Sequence, residues 1–432
     1  MAQVYAAKYI AKAALSAPRD FVRAAVAKYR PLHPTVLIFH CTFVCDARCE
    51  MCSNWTRGDR KSDMSLAEIE EAFSSNLWKD VENASLSGGE PTTRNDMVDI
   101  CRLMVDKFPK LRKLTINTTG LTPHRAIPML TKVVEMCHER NVIFSTRVSI
   151  DGVGEMHGSV RNVRRAFEKA GKTIAAMQEL QKTRKFNFGI SSTIFSRNLD
   201  DADNILAWAK KEKLDIVFNM VRFTDAMLGN SDLEGKYRPI GLEEQQMRRF
   251  FLDRVRQDPL LDGQNYIYLH YADMISNGYH RTAPCPFQTQ GVMLNPNGDV
   301  FFCENSEVVG NVRDDDPEAI YFRDTAQAHR RDIRDEKCPT CLSPCQMNVA
   351  AIKQVVPYAR FLVRASLEKR RGNSSPRPVP PGGTVGHDAA AVSEDPPDRP
   401  VAMQANPGAL GGAASYGELT PNEPAAAKAD IG

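Results

Sequence analysis

The sequence lacks the features that mark a membrane protein, a secreted protein or a nucleic-acid-binding protein. None of its apolar runs reaches the roughly 18 residues that a transmembrane helix needs. Residues Ala2–Ala17 are rich in alanine, but Lys8 and Lys12 interrupt the apolar core that a signal peptide requires. The net charge of +3 over 432 residues gives no support to nucleic acid as a partner. These absences favour the cytoplasm.

The composition is that of a globular protein. Hydrophobic residues make up 42% of the sequence and charged residues 25%, as in globular domains generally. Because 432 residues are too many for one small core, we expect one large domain with appendages, or two domains.

Between residues 34 and 225, short apolar runs alternate with longer helical stretches. The predicted strands are Thr35–His40, Asn83–Leu86, Lys113–Asn117, Thr146–Ile150, Asn187–Thr193 and Ile216–Val221. The predicted helices include Leu66–Asn76, Met97–Lys107, Ala126–Arg140, Val163–Leu180 and Asp201–Glu212. Six strands that alternate with helices indicate an α/β fold with a parallel sheet. The loops at the carboxyl ends of these strands should carry the chemistry.

The predicted organisation has five parts. They are a basic amphipathic helical segment at 1–33, a core domain at 34–225, a helical connector at 226–284, a cysteine-bearing region at 285–371 and a disordered tail at 372–432. The first part carries six lysines and arginines against one acid, so it either packs on the domain or contacts an anionic membrane surface. The tail holds ten of the 26 prolines and cannot bury enough apolar surface to offset its ordering entropy.

Eleven cysteines are present, and nine of them fall into two groups. A disulfide framework belongs to small secreted chains, so clustered cysteines in this long chain indicate metal ligands. The remaining two, Cys101 and Cys137, stand alone in predicted helices and are interpreted as core residues.

The first group directly follows the first predicted strand and consists of Cys41, Cys45, Cys49 and Cys52. Thiolates are the preferred ligands of iron–sulfur clusters. Spacings of three and then two residues let the last three cysteines wrap one corner of a four-iron cluster, which leaves one iron open. The alternatives are four buried free cysteines and a four-thiolate zinc site.

The Cys45-x3-Cys49-x2-Cys52 spacing resembles the signature of the radical S-adenosylmethionine (SAM) superfamily. The segment Ser-Gly-Gly-Glu-Pro at 87–91, after the second predicted strand, resembles the Gly-Gly-Glu-Pro segment of the same family. The resemblance implies a partial (β/α)6 barrel of parallel strands, with the three cysteines holding a SAM-binding [4Fe–4S] cluster.

Two later segments extend the resemblance. Asn117–Gly120 stands where relatives often carry Thr-Asn-Gly, with Thr119 in place of the asparagine. Ser149–Gly152 resembles the fifth-strand segment of these enzymes, although Asp151-Gly152 also fits an ordinary turn. The SAM-contacting residues that the resemblance implies are Gly88, Gly89, Glu90, Ser149 and Arg161.

The second cysteine group surrounds a predicted hairpin at Gly291–Asn295 and Val300–Phe302, with an Asn-Gly turn between them. Its members are Cys285, Cys303, Cys338, Cys341 and Cys345. A hairpin pair plus a CxxC pair also describes a zinc ribbon. The group resembles the SPASM and Twitch extensions of radical SAM proteins, which implies one auxiliary [4Fe–4S] cluster. Whether Cys338 or Cys345 serves as a ligand stays open.

The resemblance implies reductive cleavage of SAM to methionine and a 5′-deoxyadenosyl radical, which abstracts hydrogen from a substrate. An auxiliary cluster that accepts an electron would make the net reaction an oxidation, and an external donor such as flavodoxin or ferredoxin is implied. Peptide-modifying relatives often carry an N-terminal leader-recognition domain, and only 33 residues precede the first strand here. We therefore expect a sugar-like or lipid-linked small molecule as substrate. The alternatives are maturation of a ribosomal peptide or protein side chain, and a non-catalytic zinc-binding interaction protein.

Overall fold

A computed structural model describes residues 18–19, 22–23, 25–27, 30–260, 262–283, 285–343 and 355–372. Most of the predicted basic segment 1–33, and the predicted tail beyond Gly372, lie outside the described residues, as does Cys345. Within the described ranges, no helix combines the length and the apolar character needed to cross a membrane.

Strands and helices alternate along the first two thirds of the chain. The strands are β1 Val36–Thr42, β2 Asn83–Gly88, β3 Lys113–Thr118, β4 Ile143–Ser149, β5 Asn187–Ile194, β6 Ile216–Met220, β7 Gly291–Leu294, β8 Asp299–Phe301 and β9 Gly310–Asn311. The first seven helices are α1 Leu66–Phe73, α2 Met97–Lys107, α3 Pro123–Glu139, α4 Glu155–Arg161, α5 Ala166–Gln181, α6 Ala202–Lys211 and α7 Glu234–Tyr237. The remaining helices are α8 Leu242–Gln257, α9 Gly263–Ser276, α10 Pro317–Phe322, α11 Asp324–Glu336 and α12 Val355–Gly372.

One sheet contains all nine described strands, in the order β6-β5-β4-β3-β2-β1-β7-β8-β9. Strands β1 to β6 pair in sequence order and are all parallel. The described sheet ends at β6 on one side and at β9 on the other, so the barrel is open. This confirms the predicted α/β class with a partial barrel.

Side chains alternate across the parallel strands, as the two-residue period of a strand requires. One set packs outward against the helices in the main hydrophobic core: Ala84, Leu86, Leu114, Ile116, Phe144, Val148, Ile190 and Phe218. The other set points into the barrel: Ser85, Ser87, Thr115, Asn117, Ser145, Ser149, Ser191, Thr193 and Asn219. The core therefore lies between sheet and helices, and the barrel interior is polar.

The second cysteine-bearing region extends the barrel sheet rather than forming a separate sheet. Strands β7 and β8 form the predicted hairpin, and Gly298 in its turn has a φ of +92°, which favours glycine. β7 also pairs in parallel with β1. His40 Nδ1 lies 3.0 Å from Asn295 Oδ1, which ties the end of β1 to the hairpin turn.

The predicted helix boundaries agree where a cap fixes them. A capping box of Ser65 and Glu68 begins α1 at Leu66, the predicted first residue of this helix. Strand β4 begins at Ile143, three residues before the prediction, because Lys113 to Thr118 of β3 pair with it from Ile143 onward. Helices α8 and α9 lie within the segment 226–284 that was predicted to be helical. The sequence did not reveal α4, which is defined by tertiary packing rather than by strong local signals.

Candidate active site

A single cavity of about 1200 Å³ fills the barrel and reaches the cysteine loop. The loop directly follows β1, and three of its four cysteines line the cavity. All eight residues predicted to hold the first cluster or SAM line this cavity: Cys45, Cys49, Cys52, Gly88, Gly89, Glu90, Ser149 and Arg161. The volume exceeds the roughly 300–1,000 Å³ of typical ligand pockets. The cavity therefore has room for SAM and a second molecule.

Backbone hydrogen bonds fix the cysteine loop from the side of α4. Arg48 N donates to Arg161 O at 3.0 Å, and Glu50 N donates to Val160 O at 3.0 Å. The loop is thus held between the end of β1 and the end of α4, which orients its three cavity-lining thiols.

The two glycines at the end of β2 allow the backbone of the cysteine loop to approach closely. Gly88 has a φ of +121°, and a Cβ there would lie 2.1 Å from Thr42 O. A Cβ on Gly89 would lie 2.4 Å from Val44 O. Gly89 N donates to Thr42 O at 2.8 Å. No side chain fits at either position, so the glycines lock this segment to the loop in addition to lining the cavity.

The carboxylates of Asp46 and Glu90 lie beside Cys45. Glu90 is buried and accepts hydrogen bonds from Thr92 Oγ1 at 2.6 Å, Thr118 Oγ1 at 2.8 Å and Thr119 N at 2.6 Å. Thr119 Oγ1 donates to Asp46 Oδ1 at 2.9 Å. Burial raises the pKa of Glu90, and the nearby Asp46 charge raises it further. Among the described residues, neither carboxylate forms an ion pair, so the pair suits a cationic ligand group.

Thr119 links the two carboxylates, a role that its resemblance to the family segment did not suggest. It replaces the asparagine that relatives often carry, and here it connects Asp46 to the Glu90 carboxylate. Asp46 was not predicted as a site residue, because nothing in its local sequence distinguishes it from a surface acid.

Arg161 brings a positive charge to the cysteine loop. Its Nη1 donates to Cys49 Sγ at 3.4 Å, and its Nη2 lies 2.5 Å from Asp151 Oδ2. Asp151 is buried and also accepts from Thr193 N at 2.8 Å. Asp151-Gly152 is therefore more than a strand-ending turn, since its carboxylate holds Arg161 against the cysteine loop.

Cys41 lies apart from the other cysteines of its group. Its side chain is fully buried, does not line the cavity and points its Sγ to Ser87 O at 3.7 Å. Burial raises its pKa to about 12. Cys101 and Cys137 are also fully buried, as predicted for core residues.

Four cysteines of the second group line one small cavity beneath the hairpin. They are Cys285, Cys303, Cys338 and Cys341. Cys341 Sγ accepts from Asn305 Nδ2 at 3.2 Å and from Ser343 N at 3.4 Å. The rest of the lining combines apolar residues such as Phe287, Met293 and Phe302 with charged ones such as Arg281 and Arg330. Hydrogen bonds to the sulfurs and the charge around them are among the factors that tune iron–sulfur centres.

Burial favours the neutral form of a thiol at each of the two cysteine sites. Burial raises the pKa of Cys49 to about 11, and Arg161 partly opposes that shift. Burial likewise raises the pKa of Cys341 to about 11. Metals bind thiolates, and the positive charge of the metal supplies the stabilisation that burial removes. The donor sets and their surroundings therefore fit iron–sulfur groups.

A buried network connects the two cysteine sites. Arg222, which follows β6 and lines the barrel cavity, forms an ion pair with Glu304 of the second cavity and donates to Ser343 Oγ at 3.2 Å. Asn230 Nδ2 donates to Arg222 O at 3.0 Å and to Met51 O at 2.7 Å. The backbone of the first cysteine loop is thereby tied to the second cysteine site. Sequence reasoning missed this network, because its members are far apart in the chain.

Two protein-family models match this chain. The model of the radical SAM superfamily matches residues 40–220, and the model of the SPASM iron–sulfur cluster-binding domain matches residues 285–346. The chain therefore contains a radical SAM domain at residues 40–220 and an iron–sulfur cluster-binding SPASM domain at residues 285–346. The predicted resemblance and the predicted cofactors, SAM with a [4Fe–4S] cluster and an auxiliary cluster, are confirmed at this level. Iron is favoured over zinc at both cysteine groups.

Two curated proteins share part of this sequence. AdoMet-dependent heme synthase of Methanosarcina barkeri is 30% identical over 184 residues, which cover 41% of this chain and 48% of that protein. GTP 3′,8-cyclase of Pasteurella multocida is 24% identical over 193 residues, which cover 41% of this chain and 50% of that protein. The chain thus spans about half the length of the curated relatives it matches.

Solved structures of the same fold cover more of the chain. Native anSMEcpe with bound AdoMet has a TM-score of 0.51 at 15% identity, covering 77% of this chain and 100% of that one. SuiB of Streptococcus suis bound to the precursor peptide SuiA has a TM-score of 0.51 at 16% identity, covering 79% and 77%. At this identity the likeness establishes the fold alone.

Proposed function

We propose that this chain cleaves SAM reductively and abstracts a hydrogen atom from a small polar substrate bound inside the barrel. The observation that carries this proposal is the convergence of the eight predicted residues on one cavity, at the carboxyl ends of parallel strands. Residues as far apart in the chain as Cys45 and Arg161 thus line one cavity, which supports a common site.

In this proposal, Cys45, Cys49 and Cys52 hold a [4Fe–4S] cluster. When bound, the cluster supplies the electron that cleaves SAM into methionine and the 5′-deoxyadenosyl radical that abstracts substrate hydrogen. Arg161 places its guanidinium beside Cys49 Sγ and stabilises the thiolate form of that ligand. The buried Asp151 keeps Arg161 in this position.

Asp46 and Glu90 are proposed to bind the ammonium group of the methionine moiety of SAM. Both carboxylates are fixed by threonines, and no lysine or arginine of the described chain neutralises them. A cationic ligand beside them relieves the repulsion that raises the pKa of Glu90. Ser149 contributes a hydroxyl to the same cavity.

Cys285, Cys303, Cys338 and Cys341 are proposed to hold the auxiliary cluster. When bound, that cluster supplies an electron acceptor, and with it the net reaction is an oxidation of the substrate. Four thiols on one cavity satisfy the ligand number of a closed cluster. In this proposal the fourth ligand is Cys338, and Cys345 lies outside the described residues.

The test is SAM cleavage by the anaerobically purified and reconstituted enzyme, measured as 5′-deoxyadenosine with dithionite as reductant. We expect 5′-deoxyadenosine from the wild type and from Cys101→Ala, a core-cysteine control. Cys45→Ala, Cys49→Ala and Cys52→Ala should each produce none. An inactive wild type with both clusters present, or full activity in any of these three variants, would overturn the proposal.

A further inference from the structure

The inner wall of the barrel carries polar side chains that have no protein partner. Nine hydroxyl and amide side chains line the cavity: Ser85, Ser87, Thr115, Asn117, Ser145, Ser149, Ser191, Thr193 and Asn219. Within the described part of the chain, none of these side chains makes a hydrogen bond. Polar groups in a protein interior are normally hydrogen-bonded to protein, water or ligand. The wall therefore offers many donors and acceptors to a polar molecule.

Lys113 adds a cation at the far end of the same cavity. It is the first residue of β3, is largely enclosed by the surrounding strands and lines the cavity. Its ammonium group forms neither an ion pair nor a hydrogen bond with any described residue. Burial lowers the pKa of Lys113 to about 8, and the Arg147 charge contributes to that shift. Since a lysine is protonated below its pKa, Lys113 carries its charge at neutral pH.

Arg147 lines the same cavity and its charge acts on Lys113, while strand pairing places it opposite Asn117, four residues further along β3. The fold holds its guanidinium in place. Its Nη1 donates to Ile190 O at 3.0 Å, and its Nη2 lies 2.5 Å from Asp215 Oδ2. A Cβ on Gly189 would lie 2.8 Å from Arg147 Nη1, so only glycine leaves room for the guanidinium on this strand. Arg147 is therefore fixed against the inner face of β5.

The charge at this end of the cavity is predominantly positive. Five cationic side chains and one acid contribute to the lining of this part of the cavity: Lys113, Arg147, Arg184, Lys185, Lys213 and Asp215. The acid is already paired with Arg147. The remaining lining cations outnumber this one acid, and a bound anion with two charges would offset their mutual repulsion.

The length of β3 separates the Lys113 end of the cavity from the proposed SAM-binding end. Five residue steps of about 3.3 Å each along β3 place Lys113 about 17 Å from Thr118, which donates to Glu90. An extended lysine side chain shortens this gap. A molecule anchored at Lys113 can thus reach the SAM-binding end of the cavity while its polar groups contact the serines and threonines of the wall.

We propose that the barrel binds a phosphorylated, hydroxyl-rich small molecule, with Lys113 and Arg147 as the anchor for its phosphate. The inference rests on the proposed function, because it names the substrate class of that same cavity. A phosphate provides the double negative charge that this end of the cavity lacks, and arginine and lysine are its usual protein ligands. The nine unpaired wall side chains provide the contacts for hydroxyl groups.

The test is binding of inorganic pyrophosphate to the reconstituted holoenzyme at pH 7, measured by isothermal titration calorimetry. Lys113→Met should weaken binding roughly tenfold to a hundredfold, because it deletes a charged hydrogen-bond donor and keeps the apolar stem. Lys113→Arg should retain binding within about threefold of the wild type, since it retains the charge. Lys132→Met removes an equal charge from the exposed side of α3 and should bind like the wild type.

Equal affinity in the wild type and Lys113→Met would overturn the inference, as would the absence of binding by the wild type. Equal weakening by Lys132→Met would also overturn it, because net charge rather than the site would then bind the anion. Malonate is the carboxylate control, and tighter binding of malonate than of pyrophosphate would overturn the phosphate assignment. SAM cleavage is measured on the same wild-type sample. A sample that cleaves SAM but does not bind pyrophosphate refutes this inference alone, whereas absent SAM cleavage refutes the proposed function.

Discussion

The ion pair between Arg222 and Glu304 gives the sharpest prediction about how the two cysteine sites are joined. The Glu304 side chain is 4% exposed and that of Arg222 is 18% exposed. Arg222→Met leaves the buried Glu304 carboxylate without the Arg222 charge. Loss of one partner from a buried pair costs about 3–5 kcal/mol of unfolding free energy. For a chain of this size, the free energy of unfolding falls by about 3 kcal/mol for each molar increase in urea. The urea concentration at the unfolding midpoint should therefore fall by about 1–2 M.

The matched control is the exposed pair of Arg165 and Glu168, whose side chains are 64% and 57% exposed. Arg165→Met should cost only about 0.3–0.5 kcal/mol, because solvent screens that pair. The double variant Arg222→Met with Glu304→Met should recover most of the lost stability, since no buried charge remains. Urea unfolding of the anaerobic holoenzyme, followed by circular dichroism, measures all three. The reasoning is refuted if Arg222→Met lowers the midpoint no more than Arg165→Met does.

Three further predictions concern the sites themselves. Glu90→Gln should raise the KM for SAM roughly tenfold to a hundredfold, because it removes the charge opposite the ammonium group. The control is Glu155→Gln, at an exposed position. An unchanged KM in Glu90→Gln would contradict the assignment. Gly89→Ala should prevent cluster incorporation at the first site, because its Cβ would lie 2.4 Å from Val44 O. The measurement is the iron content of the protein. The control is Gly171→Ala, whose Cβ meets no atom within 4 Å and which should leave the iron content unchanged. Cys303→Ala should lose one cluster's iron and retain part of SAM cleavage yet form no product, and full turnover by this variant would show that the second cluster is dispensable.

Signals confined to short stretches of sequence made much of the fold and site predictable. The cysteine spacing after β1, the glycines after β2 and the alternation of apolar runs with helices identified an open parallel barrel and the end that carries the cysteine loop. Each of these depends on residues within one loop or one strand, so no tertiary information is needed to interpret them.

Features that depend on distant residues could not be predicted in this way. Nothing in the sequence of β7 indicates that it pairs with β1, about 250 residues earlier, because the register depends on both strands together. Asp46 and Thr119 acquire their roles only through contact with each other and with Glu90. The unpaired state of Lys113 is likewise a property of the assembled cavity, since any exposed lysine looks the same in sequence.

The central claim is that Cys45, Cys49 and Cys52 hold a cluster with one iron open to SAM. The most direct measurement is the electron paramagnetic resonance spectrum of the dithionite-reduced holoenzyme before and after addition of SAM. The account predicts that SAM changes the signal of a reduced [4Fe–4S] cluster in the wild type, and that this change is absent in Cys49→Ala. A wild-type spectrum with two reduced clusters that SAM leaves unaltered would contradict the claim.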